Sequence, residues 1–328
     1  MQPTVHILVL GGTITMAPQA AGGIAPSLTG ADLVAAVPAL ADVAAIVVAT
    51  PFLVPGASLT FAQIADVRAL AAAAVEAGAA GVVVVQGTDT IDETSFLLDL
   101  GWTADAPLVV TGAMRGAAAP GADGHANLLA ATIVAAAPEA RGQGVLVVLN
   151  DEIHAARLVE KTHTGLASAF AAPGFGPLGH VMEGRARLPF ALRRPPVLPA
   201  APGAKDLPPV AIAKATLGDD GRLIRAVADL GYRGLVLEAM GAGHVPAALA
   251  EPLEALSVRM PVVLATRVPG GPVFRTTYGF PGSERDLIAK GLVPAGLLSA
   301  HKARLLLAVL LAGGADRRAV ADAFAAYS

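Results

Sequence analysis

Short apolar runs alternate with longer segments of helical periodicity along most of the chain. In the first half, the runs that fit buried strands are residues 5–10, 81–85, 108–110 and 145–149, with a helix predicted near residues 127–136. Alternation of this kind is typical of βαβ units around a mostly parallel sheet. We therefore predict an α/β fold whose larger N-terminal domain has a mostly parallel sheet flanked by helices.

Helix start and stop signals lie between these runs. Thr60 and Gln63 have the spacing of a capping box, and Gly78 is placed to end the helix that they would begin. Thr90 and Glu93 repeat the spacing, which predicts a second capped helix.

The alternation of apolar runs with helical segments is lost from residue 185 to residue 209. Prolines recur throughout this stretch, and proline disfavours both helix interiors and central strands. We predict a linker at residues 188–209 between an N-terminal domain, residues 1–187, and a smaller C-terminal α/β domain, residues 210–328. In the second domain the predicted strands are 234–238 and 262–265, and the predicted helices lie near 247–256, 301–311 and 318–326.

Composition excludes several classes of chemistry. The 328 residues are 54% hydrophobic and 15% charged, with a formal net charge of -3 and no cysteine. This charge, with no basic cluster, argues against a nucleic acid partner. The absence of cysteine excludes disulfides, thiolate metal sites and a cysteine nucleophile. The 7 histidines lack metal-binding spacing, so we expect no metal and no other cofactor.

Targeting and membrane signals do not emerge from the pattern. The N-terminal apolar stretch ends at Gly11 and follows no basic segment, which is unlike a signal peptide. Other apolar runs, such as residues 305–312, fall well short of the ~20 residues that a membrane helix needs. We expect a cytoplasmic protein without a membrane partner.

Two threonine motifs stand where predicted strands end. Residues 11–15 read Gly-Gly-Thr-Ile-Thr after the first run, and residues 86–90 read Gln-Gly-Thr-Asp-Thr after the second. In an open α/β sheet, reactive groups gather beyond the carboxyl ends of the strands, so two hydroxyls can face one substrate. Threonine needs a neighbouring base to become a nucleophile, and Lys161 is the candidate. The motifs suggest acyl transfer through threonine.

Each motif also has a purely structural interpretation. The glycine pair at residues 11–12 could form a simple turn or part of a nucleotide-binding loop. Thr88 and Asp89 could cap the next helix, and Lys161 could be a solvated surface residue. The occurrence of both threonine motifs together with Lys161 in one chain favours catalysis over these alternatives.

Together the motifs resemble those of the bacterial-type L-asparaginase/glutaminase family. The resemblance extends nearly end to end. It rests on residues 11–14, 87–90, 93–94, 111–115, 122–124, 127–128, 147–151 and 161–162. The leucine-rich helix that follows residues 302–304 is also similar to the family's small C-terminal domain.

The resemblance implies a catalytic site built from Thr13, Thr88, Asp89 and Lys161. In such a site Lys161 is the base, and Asp89 orients Lys161 and Thr88 or pairs with the substrate ammonium. The resemblance leaves open which of Thr13 and Thr88 attacks first, and we take Thr13 as the acylated residue. Backbone amides near Thr88 and Ala113 would stabilise the oxyanion. The residues expected to line the substrate are Gly12, Gly56, Ala57, Ser58, Gly87, Ala113 and Met114.

Two departures from the family pattern affect this expectation. The loop at residues 16–26 lacks a tyrosine, so the partner of the nucleophile is open. Gly56 stands where a serine is expected to bind the substrate α-carboxylate, so Ser58 or backbone amides must replace it, and Gly56→Ser is predicted to lower KM. The candidates for a lid or for the missing partner are Thr15, Gly22, Gly23, Tyr278 and Glu284.

The predicted activity is hydrolysis of L-asparagine, a small-molecule amide, to L-aspartate and ammonia through an acyl-threonine intermediate. The alternatives are a glutaminase, a component of a tRNA-linked amidotransferase and, outside the enzymes, a small-molecule sensor on the same fold. The presence of all four catalytic residues argues against a sensor. The resemblance further implies a homodimer or homotetramer, in which the small domain of one subunit completes the active site of the next.

Overall fold

The chain divides into two compact units. The structure, a computed structural model, describes residues 2–18, 23–198 and 206–328. The first unit, Met1–Val197, is called the N-unit below, and the second, Leu198–Ser328, the C-unit. Within the predicted linker, residues 199–205 lie outside the described part of the chain.

The N-unit contains a large sheet and five helices among its described residues. Its strands are β1 (Thr4–Val9), β2 (Met16–Pro18), β3 (Ile24–Pro26), β4 (Ala45–Ala49), β5 (Gly81–Val85), β6 (Leu108–Thr111), β7 (Val145–Leu149), β8 (Glu152–Ala155), β9 (Glu160–Lys161), β10 (Phe170–Ala171), β11 (Gly179–Met182) and β12 (Arg185–Arg187). Its helices are α1 (Gly30–Ala35), α2 (Leu40–Val43), α3 (Phe61–Glu76), α4 (Ile91–Leu100) and α5 (Gly124–Ala136).

The main sheet of the N-unit is mostly parallel. Its strand order is β12-β11-β8-β7-β6-β5-β1-β4, and β4, β1, β5, β6 and β7 run in the same direction. In the register, Val9 lies opposite Val85, and Val85 lies opposite Thr111. The strands β1, β5 and β6 therefore end side by side, so the loops that follow them leave the same edge of the sheet.

Helices cover both faces of this sheet. Leu33, Leu40 and Leu128, from α1, α2 and α5, belong to the buried cluster on one face. Ile64 and Leu98, from α3 and α4, belong to the cluster on the other face. Because the central strands are buried on both sides, they read as continuous apolar runs in the sequence. The predicted α/β class with a mostly parallel sheet is confirmed.

One predicted capping box is present and the other is wrong. Thr60 begins α3 as predicted: Gln63 N donates to its Oγ1 over 3.3 Å, and Thr60 N donates to Gln63 Oε1 over 2.9 Å. At α4, Thr90 makes no side-chain cap. Its hydroxyl donates instead to the Gly56 carbonyl over 3.0 Å. A tertiary hydrogen bond has replaced the local one that the spacing favoured.

The prediction that regular structure ends at residue 185 is also wrong. Arg185–Arg187 forms the edge strand β12, which pairs antiparallel with β11. In this strand only Ala186 is buried, while Arg185 and Arg187 are exposed. A single inward alanine gives almost no alternation of apolar and polar residues, so the pairing partner decides the conformation.

The C-unit is a smaller α/β domain, as predicted. Its strands β13 (Val210–Lys214), β14 (Gly234–Ala239), β15 (Val262–Thr266) and β16 (Val293–Pro294) form a parallel sheet in that order. Its helices are α6 (Arg222–Ala226), α7 (Ala250–Arg259), α8 (Glu284–Ala289), α9 (Ala300–Ala312) and α10 (Arg317–Ala325). Among the helices of the described ranges, none has the length and apolar character that a membrane crossing requires.

A buried histidine lies in the antiparallel part of the N-unit sheet. His154 is 1% exposed. Its Nε2 lies 3.1 Å from Glu152 Oε2, and its Nδ1 has no hydrogen-bond partner within the described part of the chain. Burial lowers the pKa of His154 below its ordinary value of 6.5, and nearby His180 acts in the same direction, against the attraction of Glu152. The folded protein therefore favours the neutral ring.

We expect the free energy of unfolding to decrease as the pH falls through 6.5, because the unfolded chain then binds a proton that folded His154 resists. One such group contributes a slope of at most about 1.4 kcal/mol per pH unit. Urea unfolding of wild type and His154→Gln across this pH range measures the effect, and the variant should lose that part of the slope. Identical slopes in the two proteins would contradict the assignment.

Candidate active site

Three glycines bring the loops at the carboxyl edge of the sheet into backbone contact. A Cβ on Gly12 would overlap the backbone nitrogen of Gly87, and one on Gly87 would lie 2.5 Å from the backbone nitrogen of Gly56. Real Cβ atoms do not approach backbone so closely, so only glycine fits at these positions. The turns that begin at Gly12, Gly87 and Gly56 therefore meet at one place.

Lys161 lies between a hydroxyl and a carboxylate at this place. Its Nζ is 2.9 Å from Thr88 Oγ1 and 2.9 Å from Asp89 Oδ1. The Lys161 side chain is 18% exposed and that of Asp89 is 64% exposed, whereas Thr88 is buried. A proton can pass directly between Lys161 and Thr88 at this distance. The exposed side of Asp89 can still accept a cation.

Asp92 anchors the backbone that carries Lys161. Lys161 lies on β9, a two-residue strand that pairs only with β10 among the described strands and lies outside the main sheet. Its backbone N donates to Asp92 Oδ2 over 3.1 Å, and Asp92 is 8% exposed. Sequence reasoning missed Asp92. The available signal was an acidic residue in the first turn of α4, immediately after the threonine motif.

Thr13 opens a 3₁₀ turn, Thr13–Thr15, next to Gly12. The Gly12 carbonyl accepts hydrogen bonds from Thr15 N at 2.9 Å and from Thr15 Oγ1 at 2.8 Å. The Thr15 hydroxyl is therefore used to close the turn, while Thr13 is partly exposed. Because Gly12 touches Gly87, the turn with Thr13 lies beside the turn with Thr88.

The loop after β6 forms a third side of the site. Met114 N donates to Asp123 Oδ2 over 3.0 Å, and Asn127 Nδ2 donates to the Gly112 carbonyl over 3.0 Å. The amide of Met114 is thus bonded within the protein, while Ala113 between these anchors is buried. A Cβ on Gly112 would lie 3.3 Å from the Thr88 methyl carbon, so this loop packs directly on Thr88.

The remaining predicted substrate residues form the 3₁₀ turn Gly56–Ser58. Gly56 is buried, whereas Ala57 and Ser58 are exposed. The lid candidate Gly22 lies outside the described residues. Gly23 is exposed, has φ of 77° and precedes β3, which pairs with β2 in an antiparallel hairpin.

The two candidates from the C-unit, Tyr278 and Glu284, lie next to each other. Glu284 is fully buried, and its Oε1 accepts the amides of Thr277 at 2.9 Å and Tyr278 at 2.7 Å. Burial acts to raise the pKa of Glu284, but these amides and nearby His244 together lower the pKa below its ordinary value. The Tyr278 ring stands edge-on to His244, with centroids 4.7 Å apart.

The chain belongs to the asparaginase/glutaminase family. Residues 4–192 match the family model described as "Asparaginase, N-terminal", and residues 209–324 match "Glutaminase/Asparaginase C-terminal domain". The resemblance inferred from the motifs is thereby confirmed.

Named relatives match almost the whole chain. A probable L-asparaginase of Deinococcus radiodurans is 36% identical over 98% of this chain and 97% of its own length. The L-asparaginase of Bacillus licheniformis is 33% identical over 95% of this chain and 96% of its own. The crystal structure of a probable cytoplasmic L-asparaginase from Campylobacter jejuni has a TM-score of 0.88 at 29% identity and covers 99% of each chain.

The geometry reverses the expected effect of Gly56→Ser. A Cβ on Gly56 would lie 2.6 Å from the Gly87 carbonyl oxygen, so a serine would push the Thr88 turn out of place instead of only adding a hydroxyl. We expect the variant to lose about 1–3 kcal/mol of stability by overpacking and to lose amidase activity. Thermal unfolding and ammonia release measure both effects. The control is Ala57→Ser at the exposed neighbouring position, and a Gly56→Ser protein with lower KM and unchanged stability would contradict this expectation.

Proposed function

We propose that this protein hydrolyses L-asparagine to L-aspartate and ammonia through an acyl-threonine intermediate, without a cofactor. The observation that carries the proposal is the position of Lys161 Nζ, 2.9 Å from both Thr88 Oγ1 and Asp89 Oδ1. The L-asparaginases among the relatives, aligned over nearly the whole chain, support the substrate.

In the proposed reaction Thr13 Oγ1 attacks the side-chain amide carbon. An oxygen–carbon bond forms, the carbon–nitrogen bond breaks, and the proton lost by the hydroxyl reaches the leaving nitrogen through Thr88 and Lys161. Water then attacks the ester, which releases aspartate and restores Thr13. Thr88 and Lys161 are in hydrogen-bond contact, as proton transfer requires.

The surrounding groups have distinct proposed roles. Asp89, whose side chain is 64% exposed, pairs with the substrate ammonium. Backbone amides near Thr88 and Ala113 stabilise the oxyanion, and those of Gly56 and Ala57, or Ser58 Oγ, bind the α-carboxylate. The Ser58 amide is excluded because it already donates to the Pro55 carbonyl over 2.9 Å. The Met114 amide is excluded from substrate binding because it already donates to Asp123.

The assembly and cellular location are part of the proposal. We infer a catalytic domain at residues 1–187, a linker at 188–209 and a second domain at 210–328. A homodimer or homotetramer would let this second domain reach the active site of a neighbouring subunit with exposed Tyr278, whose backbone amide is held by buried Glu284. We further propose a cytoplasmic location, which is supported by the similarity to the probable cytoplasmic L-asparaginase of Campylobacter jejuni.

Asparagine is expected to be preferred over glutamine. The extra methylene of glutamine moves its amide carbon by about one bond length, and attack requires approach to within ~3–3.5 Å. A pocket that discriminates one methylene gives a ratio of kcat/KM of roughly 10–200. Ammonia release from the two amides and their D-forms measures this ratio. Equal or faster release from glutamine would overturn the substrate assignment while leaving the chemistry in place.

Thr13→Ala and Lys161→Met should each lower kcat by several powers of ten, because one removes the nucleophile and the other removes the base. Steady-state ammonia release and circular dichroism measure activity and folding. Thr162→Ala is the control beside Lys161, since its hydroxyl donates to the Ala169 carbonyl over 3.0 Å and has no proposed chemical role. Near-normal kcat in a folded Thr13→Ala or Lys161→Met protein would refute that residue's role.

A further inference from the structure

A chain of hydrogen bonds links the residues on either side of the turn with Thr88 to the turn that begins at Gly56. Thr94 Oγ1 donates a bifurcated hydrogen bond, to Gln86 Oε1 at 2.8 Å and to the Thr90 carbonyl at 2.9 Å. Gln86 Nε2 donates to Thr90 Oγ1 over 3.3 Å, and Thr90 Oγ1 donates to the Gly56 carbonyl over 3.0 Å. We call Thr94, Gln86, Thr90 and Gly56 the amide latch.

Gln86 is a fully buried polar residue that directly follows β5. The strand residues before it are valines, and burying an amide is costly unless its polar atoms are hydrogen-bonded. Here Oε1 accepts from Thr94, and Nε2 donates to Thr90 and, over 3.3 Å, to the Gly87 carbonyl. The side chain is therefore held in one orientation by partners on both sides.

The amide latch connects two turns of the site. Gln86 immediately precedes the turn with Thr88 and Asp89, while Gly56 begins the turn with Ser58. The glycine contact sets the shortest distance between these turns, because Gly56 and Gly87 already touch through backbone atoms. The hydrogen bond from Thr90 to Gly56 opposes their separation. Steric contact and attraction together define the distance.

We propose that Gln86 and Thr90 are positioning residues that hold the Gly56–Ser58 turn at the distance from Thr88 and Asp89 that substrate binding requires. The inference rests on the proposed function, in which the first turn binds the α-carboxylate and Asp89 the ammonium of one substrate. Loosening the latch changes the distance between these two anchors. The hydrogen bonds of the amide latch do not involve Lys161, Thr88 or Asp89, so we expect the effect to fall on KM more than on kcat.

The test compares Thr90→Val with Thr90→Ser. Valine keeps the shape of threonine and removes the hydroxyl, whereas serine keeps the hydroxyl. Loss of one or two neutral hydrogen bonds should raise KM for L-asparagine about tenfold in Thr90→Val, with kcat within about twofold of wild type. Thr90→Ser should return KM to within about twofold of wild type. Gln86→Met, which removes the amide at similar volume, should reproduce the Thr90→Val result.

Thermal unfolding of each variant separates positioning from a purely structural role. A Thr90→Val protein with a lower Tm and wild-type KM would overturn the proposal, as would a fall in kcat at constant KM or a Thr90→Ser variant as impaired as Thr90→Val. Wild-type turnover serves as the reference. If wild type releases no ammonia from asparagine, the proposed function fails and this inference with it. If wild type hydrolyses asparagine and the KM of Thr90→Val equals that of wild type, only this inference fails.

Discussion

Backbone contact between glycines is the constraint on which the candidate active site depends. The strands β1 and β5 end in register, and the turns that follow touch at Gly12 and Gly87, with Gly56 pressed against the other side. A side chain at any of these positions would separate the turns and move Thr13 away from Thr88. The parallel sheet supplies the common edge, and the glycines allow the close approach.

The charge and hydrogen bonds of Lys161 then determine the chemistry that is available where the turns meet. A lysine amine is strongly hydrated, and partial burial is tolerated here because Thr88 and Asp89 both bond to Lys161 Nζ. Since Lys161 lies on a short hairpin outside the main sheet, its position depends on Asp92 at the start of α4. The same helix start thus supports the Thr88 hydroxyl, the Asp89 carboxylate and the Lys161 amine.

Departures from the family motifs have a physical meaning in this chain. Gly56, where a serine was expected, leaves the turn close enough to Gly87 for backbone contact and for the hydrogen bond from Thr90. Under the proposed function, an α-carboxylate at this turn would be bound by backbone amides or by the hydroxyl of exposed Ser58. Thr15 is not free to replace the missing tyrosine, because its hydroxyl closes the turn at Gly12.

The sequence by itself determined the α/β class, the central strands and the motif residues, because buried strands and glycine turns leave strong local patterns. It also indicated Lys161, through the order of the motifs. The tertiary structure alone decided which partner each threonine hydroxyl bonds. Thr90 was predicted to cap a helix, and its hydroxyl instead donates to the Gly56 carbonyl. It likewise placed Arg185–Arg187 in the sheet and Asp92 beneath Lys161. These contacts join residues far apart in the chain, and no local pattern specifies which partner a polar side chain meets.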